Sequence, residues 1–599
     1  MPYPKANPMP PAHPPPQPSP AQVLKSARGL IAAGRAGDAG LLLRKHLHRN
    51  SRDAAARKLL ASLGPQARPA PALSPADHTA RQTILAAFNT RNWPAILTQA
   101  PPLLKRQPLL SDIANALGNA LAVQGRNTEA ARVLDHAIRT DPAAPDPYLS
   151  LSSLLRMRGQ PAEALAAARA ALDVAPESAA AHAALGLAHL DLDATDLAET
   201  HLTRATELAP AAAPAWDALA KMYERLNRLD DLDAALTRAE THLPDHPAIL
   251  LNRTVYLGRR NLHKQTVETA AKIDTLSPRD AAILHVTRGR ALNALGSYDA
   301  AFDAFTAMNA AADHFPGRGD VSGPRYLARV TGHLAAAPAL AAPEYATEAP
   351  QPVFLIGFPR SGTTLLETIL MTHPRVALIE EVPLVNILTE GLRPDHLATD
   401  LAALDATAAE TRAAAYLEAF ERQIGGPLDG RIPFDKLPLN LAEAAAINRA
   451  FPRANLVVSL RHPCDVILSC FMQNFIPNDA MENFRSLDAA ATLYDRVMTL
   501  WQATAARLNL DTVTIRYEDL IADLRGSIEP VLTHTGLDWT PAMDRFHETA
   551  KPVIRTASYR QVSQPLYTTA AGRWQHYRDQ LAPVMDRLAP WIAEFGYDA

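Results

Sequence analysis

At 599 residues the chain has room for two or more domains, and its net charge of -3, from 59 Lys+Arg against 62 Asp+Glu, supplies no bulk attraction to nucleic acid or an anionic membrane surface. Its two cysteines, Cys464 and Cys470, lie in one apolar-rich segment without clustered His partners, which argues against a disulfide framework or a zinc site and fits a reducing compartment. The N-terminus lacks a continuous apolar stretch and no run of about 18 apolar residues occurs, so the expectation is a cytoplasmic protein with no integral membrane segment.

Residues 1–20, MPYPKANPMPPAHPPPQPSP, form a proline-rich tail with little to bury, expected to be disordered. From residue 21 the chain becomes Ala- and Leu-rich with a helical period. Pro108, Pro142, Pro176, Pro210, Pro244 and Pro278 recur every 34 residues. Midway between them stand Gly125, Gly159, Asp193, Asn227 and Asn261, all types that accept the left-handed backbone between two helices. Small residues keep the same step, with Gly118, Ser152, Gly186 and Ala220 in the first helix of each unit and Ala130, Ala164 and Ala198 in the second.

This signature resembles the tetratricopeptide repeat over residues 108–312, with five clear units and a last one, 279–312, shifted by one residue. Residues 21–107 look like degenerate copies interrupted by a Pro-rich break at 64–75. The resemblance implies an all-α superhelix whose concave face presents a binding surface for a peptide or protein. Residues 313–345 read as a linker with one helix, and 346–599 as an α/β domain. Strands are predicted at 353–357, 376–379, 455–460 and 512–516; their alternation with helical patterns implies a mainly parallel sheet.

The α/β domain opens on VFLIGFPRSGTTLLETIL. Val353 to Ile356 is an apolar strand, Gly357 to Gly362 breaks it, and Leu365, Leu366, Ile369 and Leu370 follow at helical spacing. A strand, tight loop and helix in that order aim backbone N–H groups and the positive end of a helix at one point, an anion site. Arg360, Ser361, Thr363 and Thr364 add a cation and three hydroxyls. A nucleotide-triphosphate loop would need a lysine directly before the hydroxyl; Gly362 stands there instead, which argues against a metal-dependent NTPase. Farther on, Arg461 follows the strand 455–460 and Ser469 lies two helical turns later, a fork and a hydroxyl suited to a phosphate monoester.

PRSGTT followed by LL and then HP strongly resembles the 5′-phosphosulfate loop of sulfotransferases that use 3′-phosphoadenosine 5′-phosphosulfate (PAPS). Arg461-x-Pro463-x-Asp465 with Ser469 resembles their 3′-phosphate segment, and Tyr517 in TIRYEDL matches a position near the adenine and 3′-phosphate. Ser558, Gln561-Val562, Pro565 and Arg573-Trp574 are similar to the C-terminal cofactor-covering loop of tyrosylprotein sulfotransferases, with Arg573 in place of a lysine. The resemblance implies cofactor contacts from Arg360, Ser361, Gly362, Thr363, Thr364, Arg461, Ser469, Tyr517 and Arg573. It implies a catalytic base after HPxV, where HPRVALIEEV offers Glu380 and Glu381 and the spacing from Arg360 selects Glu381. Lys436 in PFDKLPLNL matches the lysine that reaches the leaving oxygen, together with Ser558.

Adjacent carboxylates at a strand end are expected to point opposite ways, leaving Glu380 for a structural ion pair. Asp465 is expected to cap its helix, Glu518 and Asp519 to be structural, and His373, a rival base by position, to end a helix. No metal is required and the sequence offers no ligand cluster.

The expected architecture is therefore multidomain, a tetratricopeptide-repeat superhelix followed by an α/β, P-loop-like sulfotransferase domain. The expected function is PAPS-dependent transfer of a sulfuryl group to an acceptor hydroxyl. Because the base and C-terminal loop match the tyrosylprotein branch, a peptide tyrosine recruited by the repeats leads. A carbohydrate, lipid or small phenol remains open as acceptor, and a non-catalytic repeat scaffold is the reading from another class.

Overall fold

The computed structural model describes residues 18–64, 73–315, 320–345, 349–549 and 571–598. The chain divides into two compact bodies, residues 1–256 and 257–599.

The N-terminal body is a stack of helix pairs of tetratricopeptide type. Ser111–Val123 pairs with Asn127–Thr140, Pro145–Met157 with Pro161–Val174, Ala179–Asp191 with Thr195–Leu208, and Ala213–Arg225 with Leu229–His242. Each hairpin turns on a left-handed residue, Gly125, Gly159, Asp193 and Asn227, as the 34-residue step predicts. Arg91, one step earlier, also has positive φ, so the pair Pro75–Asn89 and Trp93–Arg106 keeps the repeat register despite its poor sequence match. Close helix contact explains the small residues: a Cβ on Gly118 would lie 2.6 Å from the Leu134 side chain, and one on Gly186 equally close to Leu202. A second periodic device was not read from the sequence. Tyr148 and Trp216 donate to the carbonyls of Pro142 and Pro210, and a His182 ring nitrogen lies 3.3 Å from the Pro176 carbonyl, tying each helix start to the proline six residues before it.

The C-terminal body is built on a five-stranded, wholly parallel sheet in the order β2-β3-β1-β4-β5. The strands are β1 Val353–Gly357, β2 Val376–Glu380, β3 Ile432–Lys436, β4 Asn455–Leu460 and β5 Thr512–Arg516. Both faces are covered. Phe354, Ile356, Leu456 and Val458 point into one core and Val353, Leu355, Val457 and Ile515 into the other, the period-two alternation of a buried strand. Strand β3 escaped the sequence reading because Pro433 and the charged pair Asp435-Lys436 argue against an interior strand. The register removes the conflict: β1 joins β3 only from Phe434 onward, so Pro433 faces β2 alone.

The helices Pro278–Ala294 and Tyr298–Ala312, a last repeat-like pair, belong to this body. Phe302 stacks on Phe471 with ring centroids 4.9 Å apart, Asn309 donates to the Phe471 carbonyl, and Tyr577 donates to Asn293. The one helix expected in the linker segment is Gly323–Ala336; Tyr326 and Val330 are buried in the core shared with β1, and Arg325 pairs with Asp479 at 2.6 Å. Among the described residues no helix is long and apolar enough to cross a membrane, and no group of His, Cys, Asp and Glu is arranged to hold a metal ion.

Candidate active site at the strand ends

All five strands run the same way, so their carboxyl ends share one edge of the sheet, where open α/β sheets bind ligands. From β1 comes the loop 358–362, from β2 Glu380 and Glu381, from β3 Lys436, from β4 Arg461 and from β5 Tyr517. Segments separated by up to 160 residues of chain thus bring these groups to one edge of the sheet.

The loop is tightly pinned. Arg360 and Gly362 both have positive φ, 74° and 104°. A Cβ at Gly362 would meet the Tyr517 ring at 2.7 Å, so glycine is required there by both conformation and space. Ser459 on β4 donates to the Ser361 carbonyl at 2.8 Å, Arg360 Nε donates to Ser469 Oγ at 3.1 Å, and Arg461 donates to the Arg360 carbonyl at 3.3 Å. The two predicted phosphate segments are therefore bonded to each other. Ser361 Oγ is buried without a hydrogen-bond partner among the described residues. An orphan hydroxyl in a loop beside the N-terminus of the helix Thr363–Leu370 fits an anionic donor group. Arg461 lies over the Tyr517 ring, 4.8 Å from its centroid, and burial pushes the Tyr517 phenol up, with Arg461 opposing.

Lys436 is fully buried, and its Nζ lies 3.0 Å from Glu381 Oε1, 3.0 Å from Glu367 Oε2 and 3.6 Å from Glu380 Oε1. Burial works against its charge, but Glu367, Glu381 and Glu380 outweigh that and hold its pKa above the ordinary lysine value. The two adjacent glutamates do not point opposite ways as expected. Strand β2 ends at Glu380, and Glu381 has φ 52°, so strand alternation stops and both carboxylates turn to one lysine. A left-handed glutamate costs about 1–2 kcal/mol; the Glu381 N–H, donating to the Lys436 carbonyl at 2.8 Å, helps to hold it. Glu381 is the most exposed of the three carboxylates, 45% against 20% for Glu380 and 3% for Glu367, and so the one most open to solvent.

Asp465 does not cap its helix. The cap of Pro463–Phe471 is His462, whose ring accepts from the Cys464 N–H. The buried Asp465 carboxylate instead accepts from the N–H groups of Gly572 and Trp574, at 2.7 and 2.9 Å, and fastens the segment carrying Arg573 beside the site. Glu518 is structural as expected, accepting from the His462 N–H and the Tyr597 hydroxyl. His373 is buried and accepts from the Arg375 N–H in the turn after its helix, and burial lowers its pKa. Both cysteines are buried and free, with burial pushing the Cys464 thiol up to about 12. Ser558, Gln561, Val562 and Pro565 lie outside the described residues.

Residues 352–541 match the model of the Sulfotransferase family. The C-terminal body carries a sulfotransferase-family domain. The chain is 24% identical over 276 residues to the protein-tyrosine sulfotransferase 2 of Gallus gallus, a match covering 42% of this chain and 71% of that protein. It is 27% identical over 257 residues to an uncharacterized protein of Aquifex aeolicus (strain VF5), covering 40% of this chain and 32% of that relative, about a third of its length. Among solved structures, a tetratricopeptide repeat protein from Parabacteroides merdae aligns at 15% identity and TM-score 0.32, covering 40% of this chain and 93% of that one. Pseudomonas aeruginosa pilF aligns at 17% and 0.29, covering 36% and 95%.

Glu367 was missed in the sequence. It sits inside TTLLETIL, and one charge within a helix that buries all eight of its residues was the available signal. The Tyr416 hydroxyl, donating at 2.6 Å to Asp435, the strand residue next to Lys436, had no such signal. Burial pushes Asp435 up to about 7, with Tyr416 and Lys436 opposing.

Proposed function

We propose that the protein transfers a sulfuryl group from PAPS to an acceptor hydroxyl, with a tyrosine in a peptide or protein as the acceptor. The observation that carries this reading is the meeting, at one sheet edge, of the orphan Ser361 hydroxyl, the buried Lys436 and the more exposed Glu381.

When bound, PAPS supplies the sulfuryl group and a phosphate leaving group. The loop residues Arg360, Ser361, Gly362, Thr363 and Thr364 would hold its 5′ end; Arg461 and Ser469, with Tyr517 and Arg573 beside them, would hold the 3′-phosphate. Glu381 accepts the proton of the acceptor hydroxyl at a carboxylate oxygen, and Lys436 Nζ both orients that carboxylate and donates toward the oxygen on which charge develops. Ser558 is proposed to assist Lys436. No step calls for a metal ion. The likeness to a protein-tyrosine sulfotransferase supports the acceptor class, and the helix pairs of the N-terminal body are proposed to recruit the peptide. A cytoplasmic location is part of the proposal.

The test is transfer of label from PAPS into a panel of tyrosine peptides, glycans and phenols. The expected result is label in peptide that falls roughly 10²–10⁴-fold with Glu381→Gln. Label in glycan or phenol alone would sink the tyrosine acceptor and keep the chemistry. Absence of both transfer and PAPS binding would sink the enzyme reading.

A further inference from the structure

Three carboxylates stand within 3.6 Å of one ammonium, and among the described residues Lys436 is the only cation paired with them. With all four groups ionised the cluster would carry a net charge of about -2 beneath a protein surface, where each uncompensated charge is strongly disfavoured. A proton relieves this most when it sits on the member with the least access to water. That member is Glu367. Its side chain is 3% exposed, against 20% and 45% for Glu380 and Glu381, and it reaches Lys436 Nζ from the loop helix Thr363–Leu370. Its Oε2 is buried and makes no hydrogen bond within the described residues, although it lies 3.0 Å from the ammonium.

We infer that Glu367 is a positioning residue of the transfer, holding Lys436 Nζ from the helix side as a neutral acid while Glu381 holds it from the strand side. The inference rests on the proposed sulfuryl transfer. The groups facing Glu367 are Lys436 from β3, Glu380 from the end of β2 and Glu381 from the turn after it. The short helix Phe546–Thr549, which also packs on the loop helix, turns Phe546 into the core. Burial raises the Glu367 carboxyl to about 8; Lys436 pulls it down, and Glu380 and Glu381 push it up.

The consequence is a site with a built-in alkaline limit. While Glu367 keeps its proton, the positive charge of Lys436 is directed at Glu381 and at the oxygen where charge develops. Once the proton is lost, a full carboxylate at 3.0 Å competes for the same ammonium and weakens both of those interactions. Glutamine keeps the shape and the neutral state, so it separates the charge of Glu367 from its bulk.

The experiment measures kcat against pH for the full chain, and for Glu367→Gln and Glu367→Ala, with labelled PAPS and a tyrosine peptide. Wild-type kcat is expected to fall roughly tenfold between about pH 7 and about pH 9. Glu367→Gln is expected to flatten that limb, and Glu367→Ala, which leaves Lys436 without its helix-side partner, to lower kcat at every pH. A Gln variant with the wild-type limb, or an Ala variant with the wild-type profile, would overturn the inference. Melting temperatures across the same pH range give a readout that does not need turnover. A carboxyl raised in the folded state loses its stabilising contribution as pH climbs from its unfolded value through about 8. The wild type should therefore lose ground to Glu367→Gln as pH rises. Parallel melting curves would overturn the neutral acid itself. Diverging curves without transfer to any acceptor would remove the proposed function and the positioning role, and leave Glu367 as a buried proton site.

Discussion

The hairpins of the N-terminal body and the sheet edge of the C-terminal body solve the same backbone problem with different residues. In the hairpins from Gly125 to Asn227 the left-handed positions fall on Gly, Asp and Asn, which accept that conformation, and the open space around Gly125 and Gly159 shows that nothing else constrains them. At the sheet edge the same conformation falls on Arg360 and Glu381, which resist it, and Gly362 is hemmed in by a tyrosine ring. The buried charges divide in the same way. Arg228 in the repeats shares Glu199 and Asp231 at a partly exposed site, whereas the Lys436 ammonium, itself fully buried, faces three carboxyl groups. The hairpins from Gly125 to Asn227 are locally relaxed. The strand ends hold strain and charge because the surrounding elements over-determine them.

Changes at the strand ends should therefore cost far more than matched changes in the repeats. The largest effect is expected from Lys436→Met. It strips Glu380 and Glu381 of their cation and the buried Glu367 carboxyl of its partner, and removing the buried partner of such a cluster costs about 3 kcal/mol; transfer should drop roughly 10²–10³-fold beyond any loss of folded protein. Denaturant titration and turnover of the folded fraction measure the two parts. A variant as stable as wild type would mean that Lys436 is not the keystone of the cluster. Next comes Asp465→Ala, which leaves the Gly572 and Trp574 N–H groups without their acceptor, at about 1–3 kcal/mol per donor. Hydrogen exchange at those two amides should accelerate while the repeat helices keep their protection, and the KM for PAPS should rise with little change in kcat. The smallest effect belongs to the repeats. Gly125→Ala meets no atom and costs only backbone strain, about 1 kcal/mol, with transfer unchanged. A repeat substitution as damaging as Asp465→Ala would erase the contrast between the two bodies.

The repeat architecture was legible because it is local and redundant. Proline, turn residue and small residue recur at one step, so a misreading in one unit is corrected by the next, and even Arg91 holds the register. The loop 358–362 was legible for a related reason, since strand, glycine loop and helix are consecutive in the chain. Strand β3 was not, because its proline and its charged end are excused only by which neighbour they face. The orientation of Glu380 was misjudged because strand alternation was carried one residue past the end of the strand. Asp465 looked like a cap because its two true donors, Gly572 and Trp574, are more than a hundred residues away.

From the sequence alone came the two-part organisation, the parallel α/β class, the resemblance to a sulfotransferase-family domain and the residues proposed to carry its chemistry, all encoded in contiguous patterns of residue type. Only the tertiary structure decided which of those residues share a lysine, that Glu367 belongs with them, and that the loop and the Arg461 segment bond to each other. The physical reason is that hydrophobic period and turn chemistry act over a few residues. The charge balance of a buried site depends on every group the fold brings within a few ångströms, whatever its distance along the chain.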